Sequence, residues 1–120
     1  MKIRLYANSI RLRLSQREVA ELARGVVIRE QFTFLPQPLT VELSGSAEAP
    51  RATVQFSGRE LVIAADRGQL QQWAASDEVS IRTTDAASGV GLLIEKDFQC
   101  LHGDGENQPD CFPNPLAAAD

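Results

Sequence analysis

The first fourteen residues, MKIRLYANSIRLRL, alternate apolar and charged positions with a period of two. Ile3 and Leu5 fall between Lys2, Arg4 and Tyr6. Ile10, Leu12 and Leu14 fall between Ser9, Arg11 and Arg13. Successive strand side chains point to opposite faces, so the pattern predicts strands Lys2–Tyr6 and Ser9–Leu14, each with an apolar and a basic face. The period then changes. Ser15 precedes QREVAELARG with Glu18 three residues on, which is a capping box. Val19, Leu22, Ala23 and Val26 follow helical spacing, and Gly25 ends the run. Asp66 precedes RGQLQQWAAS in the same way, with Gln69 three residues on and Leu70, Trp73 and Ala74 as its apolar face.

The two segments can be laid over each other at an offset of 51. Ser15 falls on Asp66, Glu18 on Gln69, Val19 on Leu70, Leu22 on Trp73 and Ala23 on Ala74. Ile10-Arg11-Leu12 falls on Leu61-Val62-Ile63, and Val27 falls on Val79 after one further residue. Strand-like runs flank both helices in the same order. They are Lys2–Tyr6, Ser9–Leu14, Val26–Phe34 and Leu39–Ser44, then Ala52–Phe56, Arg59–Ala65, Glu78–Thr83 and Val90–Lys96. The expected fold is α+β. Two ββαββ-like halves would form a mainly antiparallel eight-stranded sheet or a partly closed barrel, with two helices on one side. We read residues 1–98 as one domain, with pseudo-repeats 1–44 and 51–97. Chance similarity of two α+β segments is the alternative. FSGRE at 56–60 predicts a hairpin turn around Gly58. LPQP at 35–38 and SGSAEAP at 44–50 read as loops.

The first hairpin raises an electrostatic question. With Ala7-Asn8 as its turn, Arg4 faces Arg11 and Lys2 faces Arg13. With Asn8-Ser9, Arg4 faces Arg13. Like charges directly opposite destabilise a strand pair. Glu42, Glu95 or Asp97 on neighbouring strands would neutralise them; so would water; so would a bound anion, since the arginine fork suits phosphate. Charge is uneven along the chain. Residues 1–30 carry seven basic and three acidic side chains, net +4, and residues 31–120 carry five and thirteen, net −8. Overall acidity argues against general nucleic-acid binding. SGVG at 88–91 is too short to count as a phosphate loop.

After VGLLIEKDF the periodicity stops, and residues 99–120 read as an irregular extension packed on the domain. Phe98, Leu101, Phe112 and Leu116 are its apolar anchors. Cys100, His102 and Cys111 are metal-ligand types, with Asp104 and Asp110 nearby, but Cys-x-His-x₈-Cys is not a standard zinc knuckle. The cysteines also lack Cys-x-x-Cys spacing. Cys100 buried as a small hydrophobe, with His102 in a hydrogen bond, is the plainer account.

Length and composition set the remaining bounds. A chain of 120 residues is one domain's worth and buries enough surface to fold without metal or disulfides. With 43% hydrophobic and 23% charged residues, it has an ordinary soluble composition. No apolar run approaches the roughly 20 residues of a membrane span. The N-terminus has no signal-peptide hydrophobic region, so a cytoplasmic location is expected.

The segments NSIRLRL, EKDFQCLH and FPNP resemble those of a family of small bacterial proteins of unknown function. The resemblance covers most of the chain, least clearly about 35–60. It implies that Arg11, Arg13, Glu95, Lys96, Asp97, Phe98, Cys100, Leu101, His102, Pro113, Asn114 and Pro115 belong to the family's motifs. It also implies that position 111 need not be cysteine, and it carries no activity or cofactor. The functional expectation is a non-enzymatic binding or interaction domain. Its site would include Arg4, Arg11, Arg13, Glu95 and Asp97, holding a small anionic ligand or a protein partner. No cofactor is expected. The alternative is a metal- or thiol-dependent site at Cys100, His102 and Cys111, with zinc as the metal.

Overall fold

A computed structural model of the chain describes residues 1–47, 52–98 and 111–113. The described residues form strands β1 (Lys2–Tyr6) and β2 (Ser9–Leu14), helix α1 (Gln16–Ala23), and strands β3 (Ile28–Phe32) and β4 (Leu39–Ser46). The same sequence of elements follows as β5 (Thr53–Phe56), β6 (Glu60–Asp66), helix α2 (Arg67–Ala75), β7 (Ser80–Thr84) and β8 (Gly91–Lys96). Nine strand ends, in six of the strands, move by one or two residues from their expected positions. SGSAEAP, read as a loop, begins inside β4.

The single eight-stranded sheet or barrel does not form. The described residues form two open four-stranded sheets, ordered β1-β2-β8-β7 and β3-β4-β6-β5. The reason lies in the helices. Each carries the chain from one sheet to the other, so each sheet takes two strands from either half. Within each sheet the outer pairs are antiparallel, and the central pairs β2–β8 and β4–β6 are parallel. An offset of 51 carries Leu5–Ile10 onto Phe56–Leu61 and Ser9–Gly91 onto Glu60–Thr40. Only β3 and β7 depart from it. There the registers match Ile28 with Ile81, an offset of 53, and not Val27 with Val79.

Local chemistry sets the ends of the elements. The Ala7-Asn8 turn has positive φ at both residues, 48° and 59°, as a two-residue type I′ hairpin requires. Ser15 Oγ accepts from the Glu18 amide, while Glu18 returns a carboxylate oxygen to the Ser15 amide. Asp66 caps α2 through the Gln69 amide. Gly25, at φ 92°, turns the chain away from α1. The Met1 amine is buried and donates to Glu18 at 2.6 Å and Glu30 at 2.7 Å. Burial alone would lower its pKa, but those two carboxylates outweigh it and hold the pKa above the ordinary 8.0.

The core lies between the sheets and under the helices. Leu12, Leu14, Leu43, Ile63, Ile94 and Trp73 are fully enclosed. Val19 and Leu22 of α1 and Leu70 of α2 close it, and the Trp73 indole donates to the Val79 carbonyl at 3.1 Å. Val26, expected on the buried face of α1, is exposed because the chain has already left the helix. Gly45 admits α2: a Cβ there would lie 3.3 Å from Leu70 Cδ1 and 3.4 Å from Arg67 Cα. Overpacking of this kind costs about 1–3 kcal/mol. Gly45→Val should therefore lower the unfolding free energy by that order, seen as a lower urea midpoint at an unchanged m-value. An unchanged midpoint would mean that α2 does not seat on β4.

Candidate functional site: an apolar cleft beside an arginine row

β2 and β6 run toward the helices. The far ends of both sheets are left open, and a cleft of about 900 Å³ lies between them. Its rim is made by the four strand connections, with Asn8, Phe34, Gln37, Pro38, Gly58 and Ser88 contributing. Its walls come from both sheets. At the offset of 51, wall residue Leu5 corresponds to Phe56, Ile10 to Leu61 and Leu39 to Val90. Leu5 and Phe56 are 65% and 66% exposed. Both lie on the inward faces of their strands, yet nothing within the described residues covers them. One rim connection is held by side-chain hydrogen bonds. Asp85 accepts from the Ser88 hydroxyl at 2.6 Å and from the Ala87 amide. The Ser88 hydrogen bond, helped by backbone amides that include Val54, outweighs desolvation and lowers the Asp85 pKa below its ordinary 3.8.

The predicted basic residues occupy the outer face of the first sheet. The Ala7-Asn8 turn selects the register with Lys2 opposite Arg13 and Arg4 opposite Arg11. Strand pairing then lays three rows across the four strands: Lys2–Arg13–Glu95–Ser80, Arg4–Arg11–Leu93–Arg82, and Tyr6–Ser9–Gly91–Thr84. Glu95 Oε1 accepts from Arg11 Nε at 2.6 Å and Arg13 Nε at 2.8 Å. Asp97 meets Lys2 at 2.9 Å. The opposed bases are therefore partly neutralised from within by two of the three acids that the sequence singled out. The third, Glu42, pairs with Arg29 in the other sheet. Arg4 and Arg82 have no carboxylate partner among the described residues. Arg4 lies over the Tyr6 ring instead. Arg4, Arg11, Arg82, Tyr6 and Thr84 surround a pocket of about 420 Å³ above Leu93 and Gly91.

Residues 1–116 match a family described as of unknown function, DUF7009. The chain belongs to that family. Neither the comparison with curated proteins nor that with solved structures gives a match. For this DUF7009 chain, the fold and the geometry of its surfaces carry the functional argument.

Of the predicted metal ligands, Cys100 and His102 lie outside the described residues, as do Asp104, Asp110, Leu101 and Leu116. Cys111 is buried and donates its thiol to Asp97 Oδ2 at 3.5 Å. Gln16 donates to the Cys111 carbonyl, and Phe112 packs on Phe98 with ring centroids 5.9 Å apart. Among the described residues, no group of three or more His, Cys, Asp or Glu is placed to hold a metal. None of the helices there is long and apolar enough to cross a membrane.

Sequence reasoning missed Arg82 and the cleft. The alternation in SIRTT places Arg82 on the outer face of its strand, but its neighbours depend on β7 lying beside β8. Leu5 read as an ordinary core position and Phe56 as the start of a hairpin turn. Their signal was their place beside two turns at matching positions.

Two stability effects follow. Glu95→Gln leaves two guanidiniums facing two other bases without a countercharge, and should cost about 1–3 kcal/mol. Restoration of the wild-type midpoint by adding Arg13→Gln would identify repulsion as the cause; a midpoint equal to wild type in the single variant would exclude it. The lowered Asp85 pKa stabilises the fold above pH 3.8, and this contribution is lost as pH falls through the lower folded-state value. The stability difference between wild type and Asp85→Asn, read from urea midpoints across pH, should therefore shrink on acidification. A constant difference would contradict the assignment.

Proposed function

We propose that this protein is a non-catalytic binding domain whose site is the cleft between the two sheets. The observation that supports this reading is an open apolar cavity of about 900 Å³ at the end of the core. Small-molecule sites span roughly 300–1,000 Å³ and are lined mainly by apolar groups with a few polar ones. Large apolar side chains from both sheets line it, and exposed apolar groups gathered in one place support a binding role. Gln37, Asn8 and Ser88 at the rim supply hydrogen-bonding groups.

The expected role of Arg4, Arg11, Arg13, Glu95 and Asp97 is narrowed in this reading. Arg13, Glu95 and Asp97 hold the sheet face together. Arg4 and Arg11, joined by Arg82, form the part of that face suited to an anion. The metal- or thiol-dependent alternative rests on Cys100 and His102, and no geometry among the described residues favours it.

An uncharged fluorophore that brightens in apolar surroundings should bind the protein at one site. Val54→Trp, which fills the cleft from β5, should abolish that binding with little change in melting temperature. Absence of a fluorescence response, or equal binding by the Val54→Trp variant, would sink the reading. Sedimentation that shows a dimer dissolved by Phe56→Asp would reassign the cleft as a contact between copies.

A further inference from the structure

The apolar cleft and the basic pocket adjoin. Tyr6, Ser9 and Ile10 at the tip of the first hairpin line both. One cavity lies on the inner side of that hairpin, the other on its outer side. A single molecule passing over the tip touches both.

The charge distribution is one-sided. The walls of the cleft correspond across the two sheets, but the outer faces do not. The arginine row Arg4–Arg11–Leu93–Arg82 has as its counterpart Gln55–Val62–Glu42–Arg29. There Arg29 is already paired with Glu42 at 2.6 Å. Positive charge without a carboxylate partner therefore adjoins the cleft on the first sheet, at Arg4 and Arg82. Gly91, in the next row, leaves the pocket open where any other residue would raise its floor.

Resting on the reading of the cleft as a ligand site, we propose that the ligand is a single-chain amphiphile with an anionic head. Its hydrocarbon chain lies among Leu5, Phe56 and Leu61. Its head, a carboxylate or phosphate, is held by Arg4, Arg11 and Arg82, with the Tyr6 and Thr84 hydroxyls beside it. The planar guanidinium forks match either head. A wholly apolar ligand would leave the arginine row unused, and a small anion would leave the cleft empty.

The test titrates dodecanoate, dodecyl phosphate, dodecanol and inorganic phosphate into the full chain below their aggregation concentrations. Calorimetry and displacement of the uncharged fluorophore report binding. One of the two anionic chains should bind at least about tenfold more tightly than dodecanol, the increment expected of charge-assisted hydrogen bonds. The tighter of the two identifies the head. The double variant Arg4→Gln/Arg82→Gln should remove this preference and leave dodecanol binding unchanged. Equal binding of dodecanol and the anions, or a preference that survives the double variant, overturns the head assignment while the cleft reading stands. Inorganic phosphate binding as tightly as dodecyl phosphate overturns the role of the chain. Failure of all three chain compounds to displace a bound fluorophore overturns the amphiphile alone; failure of the fluorophore itself to bind removes the cleft reading as well.

Discussion

Three consecutive buried charges at the end of β8, Glu95, Lys96 and Asp97, hold the molecule together. A charge withdrawn from water is costly unless paired and hydrogen-bonded. Alternation along the strand sends the three in two directions, and each draws in a different part of the chain. Glu95 turns outward to Arg11 and Arg13 of β2. Asp97, on the same side, engages Lys2 of β1 and the Cys111 thiol. Lys96 turns inward and donates to the Ser76 carbonyl at the end of α2, at 2.7 Å. Its ammonium lies 5.8 Å from the Trp73 ring centroid and 5.6 Å from that of Phe112. One short stretch thus docks an edge strand, a helix end and the segment at 111–113. It also explains why the second arginine row keeps charge to spare: Glu95 lies one row away and reaches only Arg11 within it.

The parts of the fold legible in the sequence are those decided by near neighbours. Ser15 and Glu18 meet within one helical turn, and Ala7-Asn8 fixes the hairpin through its own backbone angles. The capping box could be read without knowing anything else; the hairpin could be placed, but the pattern left its turn between Ala7-Asn8 and Asn8-Ser9 until the backbone angles decided it. The need for acids against the opposed bases was equally visible, because it follows from strand geometry. What was hidden depends on distant partners. Leu14 pairs with Lys96 and Ser46 with Asp66 only after the chain has crossed between sheets. Nothing in the local pattern says that a helix will lead to a second sheet and not back to the first. Arg82 and the cleft inherit that uncertainty, because both are defined by which strands end up side by side.

The corresponding positions of the two sheets show how one arrangement can acquire two characters. Gly45 and Lys96 stand at matching places in β4 and β8. One lets a helix approach the strand; the other fills the space with a long side chain stacked between rings. Glu42 with Arg29 closes the outer face of one sheet on itself, while the other sheet retains Arg4 and Arg82 without acids. The shared backbone pattern supplies the opening between the sheets, and the side chains give it a direction.

The division of strands between the sheets also bears on how the chain reaches its native state. Neither half owns a complete sheet. β2 has its central partner only once β8 has been made, and β4 waits for β6. Residues 1–47 alone would present two strand pairs with bare inner edges, a template for sticking to other chains. Productive collapse therefore demands contacts between the extremes of the sequence, a high contact order that slows folding. By the same logic, a chain cut between 47 and 52 would yield two fragments that are each incomplete but mutually templating, the property on which a split-protein sensor is built.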